Sequence, residues 1–113
     1  MTGCKRADVV LVRFIFSDET GERRRPAVIV SSDAYHRSRR EAIIAAITSR
    51  TDRTLVGDHL ISRWQEAGLL FPSVATGIIR TIKQGMIARK LGKMPLPDMK
   101  RIERNLRDAL GLE

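Results

Sequence analysis

"GERRRPAVIVSS", residues 21–32, joins three consecutive arginines to a proline and then to a run of small and β-branched apolar residues. Pro26 biases Arg25 toward extended backbone, and Ala27 to Val30 have the composition of a strand. Arg23, Arg24 and Arg25 therefore set permanent positive charge at the mouth of a buried element.

Working outward, Asp8 to Phe16 is apolar at both parities, as expected of a strand covered on both faces. SDETGE, Ser17 to Glu22, collects turn formers and carboxylates and reads as a hairpin loop. SDAYHRSRRE, Ser32 to Glu41, is polar and too short for a crossover between parallel strands. The next apolar run, Ala42 to Ile47, is expected to pair antiparallel with the strand before it. Setting Ser31 opposite Ala42 then brings Arg25 opposite Thr48, at one end of two neighbouring strands.

Thr51 to Thr54 leads into a short fourth strand near Leu55 to Ile61. In SRWQEAGLLFPS, Trp64, Leu69 and Leu70 read as a plug for one end of a barrel, with Gly68 and Pro72 marking a turn or short helix. Ser73 to Ile82 reads as a last strand, and Gly85 to Leu91 as one or two helical turns. In PLPDMKRIERNLRDALGLE, Met99, Ile102, Leu106, Ala109 and Leu110 recur at helical spacing. Pro97 suits the first turn, Asp98 complements the positive helix end, and Gly111 suits a C-terminal cap. Four or five short strands and a terminal helix make a small mostly-β barrel of the α+β class, one domain over residues 1–113.

Lysine and arginine total 21 against 13 acidic residues, a net charge of +8, so the expected partner is an anion: nucleic acid, an acidic protein or an anionic membrane surface. No apolar run approaches the roughly 20 residues that span a bilayer, and MTGCKRADVV lacks the apolar stretch of a signal peptide. A cytoplasmic protein without a membrane role is expected. The one cysteine, Cys4, belongs to no CxxC pair and reads as incidental.

Metal-dependent phosphodiester chemistry gathers carboxylates around a cation, and the apolar strands offer no such cluster. HExxH, DxD, Walker and GxGxxG motifs are missing from the sequence. No metal or cofactor is expected. His36 and His59 read as surface or structural residues, although a Ser-His-Asp set need not be contiguous in sequence.

A metal-free constellation remains around RRRP and AITSR. Arginine offers a forked donor set to phosphate oxygens and keeps its charge at all practical pH values. The hydroxyls of Thr48 and Ser49 donate to the same oxygens. RNA carries its own nucleophile, the 2′-hydroxyl, so a cleaving site must align it, stabilise the charged phosphorane and manage two protons. Arg25 supplies the stabilisation but is a poor base, since its pKa exceeds ~12. The proton acceptor stays open among Asp18, Glu19, Glu22 and water. Arg37, Arg39, Arg40, Arg50 and Arg53 add charge suited to a phosphate backbone, and Tyr35 or Phe16 could stack bases.

The stretch ADVVLVRFIFSDETGERRRPAVIVSSDAYHRSRREAIIAAITSR, followed by WQEAGLLFPS and IARKLGKM, resembles the MazF/PemK family of type II toxin-antitoxin endoribonucleases. The resemblance runs over nearly the whole chain. It implies an SH3-like barrel of the MazF/PemK/CcdB-like kind that forms a homodimer, and a toxin that cuts single-stranded RNA in a sequence-specific, metal-independent way. Products with 2′,3′-cyclic phosphate and 5′-hydroxyl ends, and inhibition of translation and growth, are implied with it. Arg25 and Thr48 take the catalytic roles by this resemblance. Ser49 and Arg50 become substrate contacts, and Ser17 to Arg24, with Asp18, Glu19, Glu22, Arg23 and Arg24, becomes the loop that gates and contacts RNA. An acidic, partly disordered antitoxin is the implied partner, with DNA reached only through it.

The chain departs from the family pattern twice. Ala7 stands where a glycine commonly precedes Asp8, and alanine reaches positive φ only at a cost. VATGIIRTIK supplies no aspartate where some members pair one with an arginine. A non-catalytic RNA-binding barrel, and a toxin acting on a protein such as a topoisomerase, are the rival functions for this fold class.

Overall fold

The computed structural model describes residues 3–15 and 21–113, with only the backbone of Ile15 and Glu22. Six strands, β1 (Asp8–Ile15), β2 (Glu22–Ile29), β3 (Glu41–Thr48), β4 (His59–Leu60), β5 (Val74–Lys83) and β6 (Ile87–Lys93), form one sheet. Helix α1 (Asp33–Ser38) lies between β2 and β3, and α2 (Leu96–Leu110) ends the chain. The strand order is β4-β5-β3-β2-β1-β6 and every pairing is antiparallel. The sheet curls into a barrel-like shape without pairing its two edges.

Apolar residues of both parities give β1 a role on both faces. Val9 joins one core cluster with Val28, Ala45 and Ile47, while Val10 and Val12 join a second with Ala27, Ile29 and Ile44. The first cluster is closed by α2, which inserts Met99 and Ile102 and packs Leu106 against it. Ala109 and Leu110 continue the spacing but are exposed. Gly111, at φ 71°, terminates α2 in the left-handed conformation expected of its cap.

The register between β2 and β3 agrees with the reading from strand ends. Ala27 pairs with Ala46, Val28 with Ala45 and Ile29 with Ile44. Continuing that ladder by two residues brings Arg25 opposite Thr48.

Other elements differ from the sequence reading. β2 begins at Glu22, so all three arginines lie within the strand, and Arg23, Arg24 and Arg25 pair with Phe14, Arg13 and Val12. The polar stretch after β2 folds into α1, capped by the Ser32 hydroxyl accepting the Tyr35 N–H. The fourth strand shrinks to His59–Leu60. Only a single turn of 3-10 helix, Gln84–Met86, precedes β6, so the segment read as helical is mostly strand. Ile87 is buried while Ala88, Arg89 and Lys90 are exposed, and the pairing with β1 shifts register twice. That irregular edge hides the strand's alternation. Trp64 and Leu69 pack on the first cluster as expected, whereas Leu70 is 82% exposed. The turn that carries Leu70 is fixed by Gly68, at φ +86°, where an added Cβ would lie 2.2 Å from the Leu91 carbonyl oxygen.

A candidate nucleic-acid active site

Sheet pairing gathers the proposed site residues at one end of β2 and β3. Arg25 and Thr48 line a single groove of about 1070 Å³, together with Ser49 and Arg50. Arg25 is exposed, and no described residue makes a hydrogen bond or ion pair with its guanidinium. Thr48 ends β3 half-buried. Its Oγ1 accepts the Arg50 N–H at 3.1 Å, which leaves the hydroxyl proton available to an incoming oxygen. Arg50 is joined to Asp52 at 3.3 Å, and this contact holds the Asp52 carboxyl below its ordinary range.

Two cations enter the groove that the reading around RRRP and AITSR missed. Arg80 comes from β5 and Arg89 from β6. The Arg80 guanidinium lies 4.7 Å from the centre of the Phe14 ring, a cation–π contact that orients it. No local pattern marks these two arginines; sheet order alone brings them to β2. Among the described residues the groove is lined by no carboxylate. Asp18 and Glu19, with Ser17 and Phe16, lie outside the described residues, and the Glu22 side chain does as well.

Several expected contributors sit elsewhere. Tyr35 is in α1, with Arg39 at 5.3 Å over its ring, at the start of β3 and roughly 23 Å along that strand from Thr48. Arg37, Arg39 and Arg40 share that far end, and Arg39 is bonded to Glu41 at 3.3 Å. Arg53 stays close, lining a smaller pocket of about 400 Å³ that shares Thr48 and Arg50 with the groove.

Neither histidine lines the groove. Ser31 Oγ lies 2.5 Å from His36 Nε2, and Asp33 stands on the other side of that ring. This outline of a Ser-His-Asp set is poorly placed for catalysis, since Ser31 is buried and His36 Nδ1 is 3.7 Å from Asp33, beyond hydrogen-bond distance. His59 is bonded to buried Asp98 and does not line the groove. Burial, with help from Asp8 and Asp33, pushes the Cys4 thiol up to about 11, so it stays protonated and unreactive. Among the described residues no three His, Cys, Asp or Glu side chains come together as metal ligands would.

Asp8 anchors the chain entry. It is buried, accepts the Lys5 N–H at 3.0 Å and lies 3.2 Å from Lys90 Nζ. Ala7 before it adopts φ 75°, the left-handed conformation for which a glycine is the usual choice. Hydrogen bonds of 2.8 Å from the Ala7 N–H to Ile29 and from the Met94 N–H to the Ala7 carbonyl hold it there.

Fold and groove together define a barrel-like α+β domain with a cationic, hydroxyl-bearing groove at one end of its sheet. Residues 5–110 match the family of PemK-like, MazF-like toxins of type II toxin-antitoxin systems, and the chain belongs to that family. Comparison with curated protein sequences finds no match. Among solved structures, an endoribonuclease in complex with its cognate antitoxin from a mycobacterial species superposes with a TM-score of 0.77 at 23% identity, covering 98% of each chain. MazF in a MazE-MazF crystal from Deinococcus radiodurans gives 0.79 at 18% identity, over 97% of this chain and 98% of that one. The Mycobacterium tuberculosis toxin MazF-mt6 gives 0.73 at 20% identity, over 94% of this chain and 98% of that one. These likenesses establish a shared fold.

Proposed function

We propose that the chain is a sequence-specific, metal-independent endoribonuclease toxin that cleaves single-stranded RNA. The observation that carries the reading is Arg25, without a partner among the described residues, in one groove with the Thr48 hydroxyl. A guanidinium without a described partner, sharing a groove with a hydroxyl, is suited to a phosphodiester. Its fork meets two phosphate oxygens, and Thr48 and Ser49 fix the phosphate by further donation.

In this mechanism the substrate's 2′-hydroxyl attacks the adjacent phosphorus. Negative charge grows on the non-bridging oxygens, and Arg25 stabilises it, a contribution of about 3 kcal/mol for one well-placed donor. The P–O5′ bond breaks, giving a 2′,3′-cyclic phosphate and a 5′-hydroxyl. Arg25 also gives a hydrogen bond to the leaving 5′-oxygen, which takes its proton from water, while the proton of the 2′-hydroxyl passes to Asp18, Glu19, Glu22 or water. Arg50, Arg80 and Arg89 line the path of the strand, and Arg23 and Arg24 support its entry. Cutting cellular RNA in this way stops translation and growth.

A cytoplasmic setting and an acidic, partly disordered antitoxin complete the reading, with DNA contacted only through the antitoxin. A chain that folds on binding and carries negative charge complements the basic groove. No helix among the described residues is long and apolar enough to cross a membrane.

The test is incubation of purified protein with mixed-sequence single-stranded RNA in excess EDTA, mapping fragment ends, beside Arg25→Ala. Discrete cuts with cyclic-phosphate ends, reduced at least about 100-fold in the variant, are expected. Uncut RNA with a folded sample moves the reading to a non-catalytic RNA-binding barrel. A protein target follows instead if growth stops while cellular RNA stays intact.

A further inference from the structure

The outward face of α2 carries charge that the fold does not use. The helix docks through Met99, Ile102 and Leu106. On its opposite side Lys100, Arg104 and Arg107, spaced four and three residues apart, form one stripe, with Arg101 beside them. Lys100, Arg101 and Arg104 are exposed and make no ion pair with any described residue. The acids of the helix are mostly engaged elsewhere: Asp98 is buried against His59, and Glu103 lies 2.6 Å from Arg6. Asp108 is the one exposed acid of α2.

Like charges three and four residues apart weaken a helix, so this arrangement lowers the stability of α2. An anion laid along the stripe reverses that repulsion. Between Leu96 and Leu110 the exposed side chains at positions 100 to 108 are all charged, so the surface lacks the buried apolar anchor on which protein interfaces depend. It instead presents charged donors over roughly 10 Å of helix axis, a pattern suited to consecutive phosphates. None of the described residues lining the groove belongs to α2. A strand bound in the groove must therefore extend beyond it to reach the stripe.

We propose that Lys100, Arg101 and Arg104 form a second, sequence-independent binding surface for the phosphate backbone of single-stranded RNA, holding the strand outside the groove. The inference rests on the ribonuclease reading only in taking RNA as the natural strand. Linking two weak sites through one strand raises the apparent affinity for long strands and leaves short ones unaffected.

The test uses the full chain and its triple variant Lys100→Gln, Arg101→Gln, Arg104→Gln, with folding checked by thermal melting. Binding is measured across salt concentrations to single-stranded DNA of about 40 and about 10 nucleotides, which offers the same phosphates but no 2′-hydroxyl to be cut. Cleavage of a short RNA is followed in parallel. The triple variant should bind the long strand about tenfold more weakly, with its log-log salt slope reduced by about 2, and should treat the short strand and short RNA as the parent does. Arginine and lysine being equal in charge, a control with Arg101→Lys and Arg104→Lys should keep the parent slope. Unchanged long-strand binding overturns the proposal, as does an equal loss for both lengths, which would locate the effect in the groove. It is also overturned if only binding of poly-glutamate weakens, which would mark a surface for an acidic protein. Stripe-dependent binding by a parent protein that cuts no RNA would leave this inference standing and remove the ribonuclease reading.

Discussion

His59 Nε2 lies 2.7 Å from Asp98 Oδ1, tying the short edge strand β4 to the first turn of α2. The Asp98 carboxylate also accepts the Ser62 N–H at 2.8 Å, the Ser62 hydroxyl at 2.9 Å and the Arg63 N–H at 3.1 Å. One buried group thus joins strand, turn and helix. It does far more than complement a helix dipole.

Burial raises the Asp98 pKa, but the donors from His59, Ser62 and Arg63 together outweigh it and hold the carboxyl below its ordinary range. A depressed native pKa contributes stability that is fully present above the unfolded value, about 3.9, and is lost as pH falls through the native one. Thermal melts of the parent should therefore drop steeply below about pH 4. Asp98→Asn should be destabilised by about 2 kcal/mol at pH 7 and show a shallower acid dependence.

Ala7 at φ 75° predicts a gain from glycine. The left-handed conformation costs alanine roughly 1–2 kcal/mol, partly offset by the larger unfolded-state entropy of glycine. Ala7→Gly should raise stability by about 1 kcal/mol in urea unfolding, with an unchanged m-value. Cleavage should not change, since Ala7 is not among the residues that line the groove.

At Gly68 the opposite holds. A methyl group there meets the Leu91 carbonyl oxygen at 2.2 Å, and one at Gly92 meets the Ala67 carbonyl oxygen at 2.5 Å, so two backbones touch without room for side chains. Gly68→Ala should cost more than about 3 kcal/mol, combining the clash with unfavourable φ. Soluble yield and urea midpoint would both fall, and a midpoint near the parent's would contradict this packing.

The exposed apolar side chains near the groove fit the homodimer that the family resemblance implies. Val56 is 84% and Ile78 62% exposed; both line the smaller pocket, and Ile78 also lines the groove with Leu70 and Phe71. Such a patch is unfavourable in water and suits a second copy of the chain. Val56→Glu combined with Ile78→Glu should shift sedimentation from dimer to monomer without unfolding either.

Much of the architecture was legible along the chain because its causes are local. Apolar residues at both parities mark β1 as doubly covered, helical spacing selects Met99 and Ile102 for the core, and a short polar connection forces β2 and β3 antiparallel. Connectivity then brings Arg25 to Thr48. What lay beyond the sequence depends on neighbours distant in the chain. β6 is held by a shifted ladder to β1, so it lacks the alternation that would reveal a strand. Arg80 and Arg89 reach the groove, and Tyr35 does not, because of where β5, β6 and α1 lie around the sheet. Asp98 looks like a dipole-complementing acid until His59, thirty-nine residues earlier, is folded against it. Periodicity is carried by each segment alone, whereas the partners of a charged side chain are chosen by the order of the strands.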